Sequence, residues 1–232
     1  MLAQVTKLKR AALDLLFPRW CIGCGREGSY VCTTCRDTFT AITPPVCDSC
    51  GRPLFGGACP DCAERSLVID SIRAPFLFDG LTRHVIHEFK YRNLRGLAPL
   101  LAGLLYDYLA ESPVPGDVLV PVPLHPKRLR ERGYNQSGLL ARELGKLTGV
   151  PVVTDSLRRV HHTPPLARSS NVDDRRARVA DAFASTDGKL KGKRVILIDD
   201  VSTSGATLNA CATVLKEAGV AGVRGLVIAL EL

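Results

Sequence analysis

Four Cys-x-x-Cys pairs, Cys21–Cys24, Cys32–Cys35, Cys47–Cys50 and Cys59–Cys62, hold eight of the nine cysteines of this chain. Such a turn brings two thiolates to one ion, and two turns complete a tetrahedron. The pairs are separated by 7, 11 and 8 residues. A segment this short has no hydrophobic core of its own. Metal binding worth on the order of 10–16 kcal/mol per site supplies its fold instead. Gly23, Gly25 and Gly51 give the turns a permissive backbone. Eight sulfur ligands imply two zinc ions, both structural, because no coordination position is left open for catalysis. Sequential pairing puts Cys21, Cys24, Cys32 and Cys35 on one ion and Cys47, Cys50, Cys59 and Cys62 on the other. A crossed pairing, with the first and third turns sharing an ion, is the open alternative. The ninth, Cys211, lies among Ala210, Ala212, Val214 and Leu215 and reads as a buried small residue.

Clustered cysteines without an export signal fit a metal site in the cytoplasm rather than a disulfide framework. The first residues, "MLAQVTKLKRAALDLLFPRW", lack the continuous apolar core and small-residue cleavage site of a signal peptide. Leu8, Ala11, Ala12, Leu15 and Leu16 share one helical face, so a short amphipathic helix is expected there, stopped by Pro18. No apolar run is long enough for a membrane span.

The chain divides near residue 66. A helix-plus-ribbon segment over 1–66 precedes a segment over 67–232 in which apolar runs alternate with helical patterns. "IRAPFLFDG", "DVLVPVPL", "RVILID" and "VRGLVIALEL" read as strands, and "VPVVTDSLRRV" as a short strand leaving the core. Helices are expected over "LTRHVIHEFKYRNLRGLAPLLAGLLYDYLAES", broken at Gly96, over "NQSGLLARELGKLTG" and over "GATLNACATVLKEAG". This alternation predicts an α/β fold with a parallel sheet and helices on both faces, carrying a small N-terminal zinc-ribbon domain. Residues 156–183, Arg-rich and containing Pro164–Pro165, break the alternation and read as a long functional loop.

"VILIDDVSTSGATL", residues 195–208, is the chemical centre of the sequence. In a parallel sheet, ligands bind beyond the carboxyl ends of the strands. Asp199 and Asp200 are expected at such an end. Thr203, Ser204, Gly205, Ala206 and Thr207 then lead into a helix whose first N–H groups and dipole suit a phosphate. Two carboxylates beside a phosphate cradle suit a ribose, whose vicinal hydroxyls donate to them. The loop therefore predicts a sugar 5-phosphate site. "VLVPVPLHPKRLRERGYNQS" adds Lys127, Arg128, Arg130 and Arg132, and Arg binds phosphate oxygens in bidentate fashion. The formal charge is +8 overall. Residues 1–70 carry +1 and residues 71–232 carry +7. Two four-thiolate zinc sites bring the first segment to −3, so the basic surface is expected on the sheet domain.

The loop resembles the phosphoribosyl pyrophosphate (PRPP) signature of type I phosphoribosyltransferases. Nearly the whole chain resembles the ComF family through "LDLLFPRWCIGCG", the Cys-x-x-Cys array, "FKYRNLRGLAPLLAGLL", "VPVPLHPKRLRERGYNQS", "TPPLARS", "RVADAF" and "VILIDDVSTSGATL". The resemblance implies a zinc ribbon joined to a type I phosphoribosyltransferase-like domain. It implies PRPP bound through Asp199, Asp200 and Thr203–Thr207, without establishing a transferase reaction; in the residue reading Lys127, Arg128 and Arg132 are the candidates for the pyrophosphate, with a magnesium ion to neutralise it. It also implies a part in natural transformation, the handling of incoming single-stranded DNA, with a partner ATPase or helicase. Leu166 and Arg178 depart from the family pattern, which has Gln after "TPP" and Asn before "VxxAF".

Two function classes follow. One is a DNA-uptake factor whose basic surface and aromatics (Tyr30, Phe39, Phe55, Tyr91 and Tyr134) meet single-stranded DNA. The other is a phosphoribosyltransferase acting on an unidentified base or nucleotide, with Asp199 and Asp200 as the catalytic pair. In that class Arg158, Arg159, Arg175 and Arg176 of the 156–183 loop close over the site. His161 and His162 read as bystanders. The absence of a Walker loop means that this chain does not itself power transport.

Overall fold

The computed structural model describes residues 18–63, 67–161 and 182–232. The expected N-terminal helix, the 64–66 boundary and most of the Arg-rich loop, including His162, Leu166, Arg175, Arg176 and Arg178, lie outside the described residues.

The strands are β1 (Ser71–Arg73), β2 (Phe76–Leu77), β3 (Val118–Pro121), β4 (Leu157–Arg159), β5 (Phe183–Ser185), β6 (Arg194–Ser202) and β7 (Gly222–Leu230). The helices are α1 (Thr33–Arg36), α2 (Pro60–Ala63), α3 (Gly80–Tyr91), α4 (Ala98–Glu111), α5 (Pro126–Arg132), α6 (Gln136–Thr148) and α7 (Ala206–Glu217). The main sheet has the order β1-β7-β6-β3, with β2 also on β7, and every pair in it is parallel.

Successive strand residues face opposite sides, and here both sides are dry. Ile196, Ile198, Leu226 and Ile228 pack on one face with Phe89 of α3, Leu101 and Leu105 of α4, and Leu140 and Leu144 of α6. Val195, Leu197, Val223 and Val227 pack on the other with Leu208, Cys211 and Leu215 of α7. Burial on both faces is why these strands read as unbroken apolar runs. Cys211 is fully buried, as expected.

Three elements differ from the sequence expectation. "IRAPFLFDG" is two strands, because Pro75 has no N–H for the ladder. Its carbonyl instead accepts from the Ile42 N–H at 2.8 Å. β6 does not end at the two acids but runs on to Ser202, where Asp199, Val201 and Ser202 pair with Val227, Ala229 and Leu230. The 156–183 loop has a structured base, with β4 and β5 forming an antiparallel pair. Leu157, Ala182 and Phe183 hold that base by burying against the α7 side of the core.

The cysteine segment covers the open edge of the sheet. Ala41 bridges Phe76 in antiparallel fashion, and the Leu77 N–H donates to the Thr40 carbonyl at 2.9 Å. The Ile72 N–H donates to the Ser49 carbonyl at 2.8 Å. Val31 and Phe39 join the main core, and Phe39 meets Phe76 edge to face with centroids 5.2 Å apart. An uncovered edge invites pairing with other chains, and the ribbon removes it. Gly96, in a 3-10 turn over Arg95–Leu97, marks another tight approach: a Cβ there would lie 2.5 Å from the Tyr30 ring.

Candidate functional site

The sulfurs of Cys21, Cys24, Cys32 and Cys35 lie within 4.8 Å of one another, as do those of Cys47, Cys50, Cys59 and Cys62. Pairing is therefore sequential. Four sulfurs about 2.3 Å from a zinc ion stand about 3.8 Å apart. Cys24–Cys32 and Cys47–Cys62 are 3.7 Å apart and Cys50–Cys59 is 3.6 Å. The all-sulfur donor sets fit structural zinc. Burial pushes the Cys21 thiol up, but the N–H groups of Cys32, Cys24 and Gly23 outweigh it and bring it down to about 6. Thiolate at Cys21 is thus favoured by the turn backbone.

The acid pair sits late in β6. Asp200 is buried, and its Oδ1 lies 2.8 Å from the Lys90 ammonium at the end of α3. Its Oδ2 is buried with no hydrogen-bond partner among the described residues. Asp199 Oδ1 accepts from Ser137 Oγ at 2.7 Å and from the Asp200 N–H at 2.9 Å. Burial, and then the Asp200 charge, raise the Asp199 carboxyl to about 7, against the opposing pull of Lys90 and Ser137. Burial disfavours the Lys90 ammonium, but the Asp200 charge outweighs it and holds Lys90 above its ordinary value. Asp200 is thus charge-paired with Lys90 in the interior, and Asp199, hard to ionise, is the acid that lines the next loop.

That loop runs from Thr203 through Gly205, whose φ of 75° turns the chain into α7. The first N–H groups of a helix have no acceptor within it. A pocket of about 250 Å³, counting space open to solvent, lies between Asp199 and this first turn, lined by Asp199 and residues 201–208. Thr203, Ser204, Gly205, Ala206 and Thr207 all lie on its wall. One pocket thus brings together the Asp199 carboxyl and a helix N-terminus with hydroxyls, a donor set that suits an anion.

Residues 12–63 match the model of the double zinc ribbon domain, and residues 129–230 that of the phosphoribosyl transferase domain. Competence protein ComFC of Bacillus subtilis is 32% identical over 206 residues, covering 82% of this chain and 79% of that protein. The chain belongs to the ComF family. Competence protein F of Haemophilus influenzae is 30% identical, covering 82% of this ComF chain and 86% of its own. The DNA utilization protein YhgH of Escherichia coli K12 is 28% identical, over 84% and 87%. Among solved structures, the glutamine PRPP amidotransferase from B. subtilis, complexed with ADP and GMP, is similar at TM-score 0.40 and 24% identity. The likeness covers 57% of this chain and spans about a quarter (26%) of that enzyme. The purine phosphoribosyltransferase from Pyrococcus horikoshii is similar at TM-score 0.35 and 18% identity, over 56% of this chain and 70% of that one. Neither likeness bears on chemistry.

The basic cluster of this ComF chain is a real helix, α5, but its members are placed differently. Arg132 Nη1 donates to Gln136 Oε1 at 2.6 Å, and its guanidinium lies 5.2 Å from the centre of the Tyr91 ring. Gln136 precedes Ser137, the partner of Asp199, so Arg132 belongs to the neighbourhood of the acids. The Arg128 charge is felt at Arg159 of β4. Burial first, and then Arg128, lower Arg159, while Asp199 acts in the opposite sense. Lys127 lies in the first turn of α5, where its N–H donates to His125 Nδ1 at 3.2 Å. Of the aromatics expected to stack on bases, Phe39 and Tyr134 are buried, and Tyr30 packs against Gly96. Phe55 and Tyr91 are exposed, at 95% and 63%.

Residue-by-residue reading missed two features. Lys90 falls four residues after Ile86, on the same stripe of α3 as the buried Thr82, Ile86 and Phe89. A lysine on a buried stripe demands a counter-charge, and that was the available signal. The second is the quartet Tyr134–Asn135–Gln136–Ser137. The Tyr134 hydroxyl donates to the Phe89 carbonyl, and Asn135 Nδ2 donates to the Val122 carbonyl at 3.0 Å. Asn135 Oδ1 also accepts from the Ser137 N–H and so caps α6. Together with Arg132–Gln136 and Ser137–Asp199, these bonds tie α3, the end of β3, α5 and α6 to the acid pair.

Proposed function

We propose that this ComF chain is a cytoplasmic DNA-uptake factor that handles incoming single-stranded DNA and carries a PRPP-binding site in a phosphoribosyltransferase-like domain. The reading assigns residues 1–66 to the ribbon and 67–232 to the phosphoribosyltransferase-like domain. The relatives named for competence and DNA utilization support the first part. The observation that carries the second is the pocket joining Asp199 to the Thr203–Thr207 loop. In this reading Asp199 and Asp200 receive the ribose hydroxyls, and Thr203, Ser204, Gly205, Ala206 and Thr207 hold the 5-phosphate. Arg128 and Arg132, with Lys127, face the pyrophosphate. Lys90 already neutralises one carboxylate, so magnesium belongs with the pyrophosphate oxygens of the ligand more than with the acid pair. Oxygen donors at both suit this hard cation.

The DNA part rests on charge. Residues 71–232 hold seven more basic than acidic side chains, and Tyr91 with Arg132 offers an exposed ring beside a cation. Among the described residues no helix is long and apolar enough to cross a membrane. Transport itself would fall to a partner ATPase or helicase. Isothermal calorimetry with magnesium and PRPP tests the site. Replacing both acids, Asp199→Asn with Asp200→Asn, should weaken binding at least tenfold, since a charge-assisted hydrogen bond is worth about 1.5–3 kcal/mol. Unchanged affinity would refute the ribose role.

A transferase reading is favoured by one feature. The 156–183 segment is rooted in β4 and β5, and its Arg159 lies within the electrostatic reach of Asp199. Release of pyrophosphate from PRPP, assayed with a panel of bases and with single-stranded DNA, would separate the two readings.

A further inference from the structure

The second zinc site is joined to the phosphate loop by one side chain. Arg52 follows the Cys47–Cys50 turn by two residues, and its carbonyl accepts the Cys47 N–H at 2.8 Å. Its guanidinium Nη2 donates to the Thr203 carbonyl at 2.7 Å and to the Glu231 carbonyl at 3.1 Å. Nη1 pairs with Asp61, which lies between the ligands Cys59 and Cys62. The same turn is seated firmly. The Ser49 carbonyl accepts from the Ile72 N–H and the Asp48 carbonyl from Arg73 Nη1, both at 2.8 Å. A Cβ on Gly51 would lie 2.4 Å from the Ile72 carbonyl oxygen.

We infer that Arg52 is a positioning residue that couples zinc occupancy of the Cys47, Cys50, Cys59 and Cys62 site to sugar-phosphate binding. The inference rests on the proposed sugar-phosphate reading of the Thr203–Thr207 loop. Zinc fixes the turn bearing Arg52 and the turn bearing Asp61. Those two residues then hold the Thr203 carbonyl, and with it the direction of the N–H groups and hydroxyls that follow. Without the ion, Asp61 and the Arg52 backbone lose their fixed relation, and the loop loses its outer clamp. Coupling of this kind is reciprocal: whatever zinc does for the ligand, the ligand does for zinc.

The test uses the full chain loaded with zinc and ribose 5-phosphate as probe, because PRPP carries a pyrophosphate that itself takes up zinc. Arg52→Ala should retain two zinc ions and a cooperative unfolding transition, yet bind ribose 5-phosphate about tenfold more weakly by calorimetry. Asp61→Ala should give a similar loss. The double variant should be no weaker than Arg52→Ala alone, because both act through one clamp. In the wild type, ribose 5-phosphate should slow chelator-driven loss of one of the two zinc ions, and Arg52→Ala should abolish that slowing. Arg52→Lys keeps a donor and a charge and should recover part of both effects. Wild-type protein that does not bind ribose 5-phosphate overturns the sugar-phosphate reading itself. Wild-type binding with Arg52→Ala unchanged in affinity overturns the coupling alone, as does zinc release indifferent to the ligand.

Discussion

The Lys90 ammonium and the Asp200 carboxylate meet at 2.8 Å with side chains only 20% and 3% exposed. Breaking such a pair from one side strands a charge in the interior and costs about 3–5 kcal/mol. Lys90→Met should therefore lower stability by about 3 kcal/mol, measured by denaturant unfolding of the zinc-loaded protein. Adding Asp200→Asn to Lys90→Met removes the stranded charge and should restore most of that loss. Equal instability of the single and double variants would show that Lys90 acts through packing alone.

Asp199 gives a pH dependence of definite sign. Its carboxyl is raised to about 7 in the folded chain, whereas an unfolded Asp titrates near 3.9. The fold binds the extra proton, so the stability Asp199 contributes is fully present below the unfolded value and is lost as pH rises through about 7. Asp199→Asn should then be more stable than wild type at pH 8, by about 1 kcal/mol or roughly 2–4 °C. The two should converge toward pH 4. Ribose hydroxyls prefer the ionised acceptor, so sugar-phosphate affinity should rise between pH 6 and 8. The part of that rise due to Asp199 should vanish in Asp199→Asn, as calorimetry across the range would show.

Zinc removal should reach beyond the ribbon. Elemental analysis should return two zinc ions per chain, matching the two four-sulfur sites. Because Thr40–Ile42 and Ser49 bond directly to β1, β2 and Pro75, stripping the metal should also bare the sheet edge. Light scattering of chelator-treated protein should show self-association. Residues 67–232 expressed alone should behave in the same way.

DNA and sugar phosphate should separate by mutation. The Asp199→Asn, Asp200→Asn chain should bind single-stranded DNA as wild type does, measured by fluorescence anisotropy. Charge reversal of Arg128, Arg130 and Arg132 should weaken both ligands and flatten the salt dependence of DNA binding. Tyr91→Ala should cost about 1–3 kcal/mol of DNA affinity if a base stacks on its exposed face. Loss of DNA binding in the acid variant would merge the two sites into one.

Signals that fit within a few residues could be read directly. The Cys-x-x-Cys turns specify their chemistry by spacing alone, and the buried strands announce themselves as apolar runs because both sheet faces are covered. Asp199 and the small-residue loop of residues 203–207 are close in sequence and line one pocket, whereas Asp200 turns to Lys90 instead. Relations across the chain could not be read this way. Ser137 and Asp199 are 62 residues apart, and Arg52 and Thr203 are 151 apart. No local pattern encodes that a serine at a helix start will meet a particular carboxylate. The zinc pairing, open from spacing, is decided by how the turns fold back. Nor does charge count give direction along α5, where Arg132 donates to Gln136 and lies over the Tyr91 ring.

β7 accepts both β1 and β2, yet it is the last strand along the chain, and Asp70 and Val223 meet across 153 residues. During synthesis the cysteine turns leave the ribosome long before the surface they seal exists. Metal capture and sheet closure are therefore separate events in time. Pairings so distant in sequence close slowly. A nascent chain can hold zinc while its ribbon still waits for a seat, and damage confined to β7 would unseat cysteine turns made about 160 residues earlier.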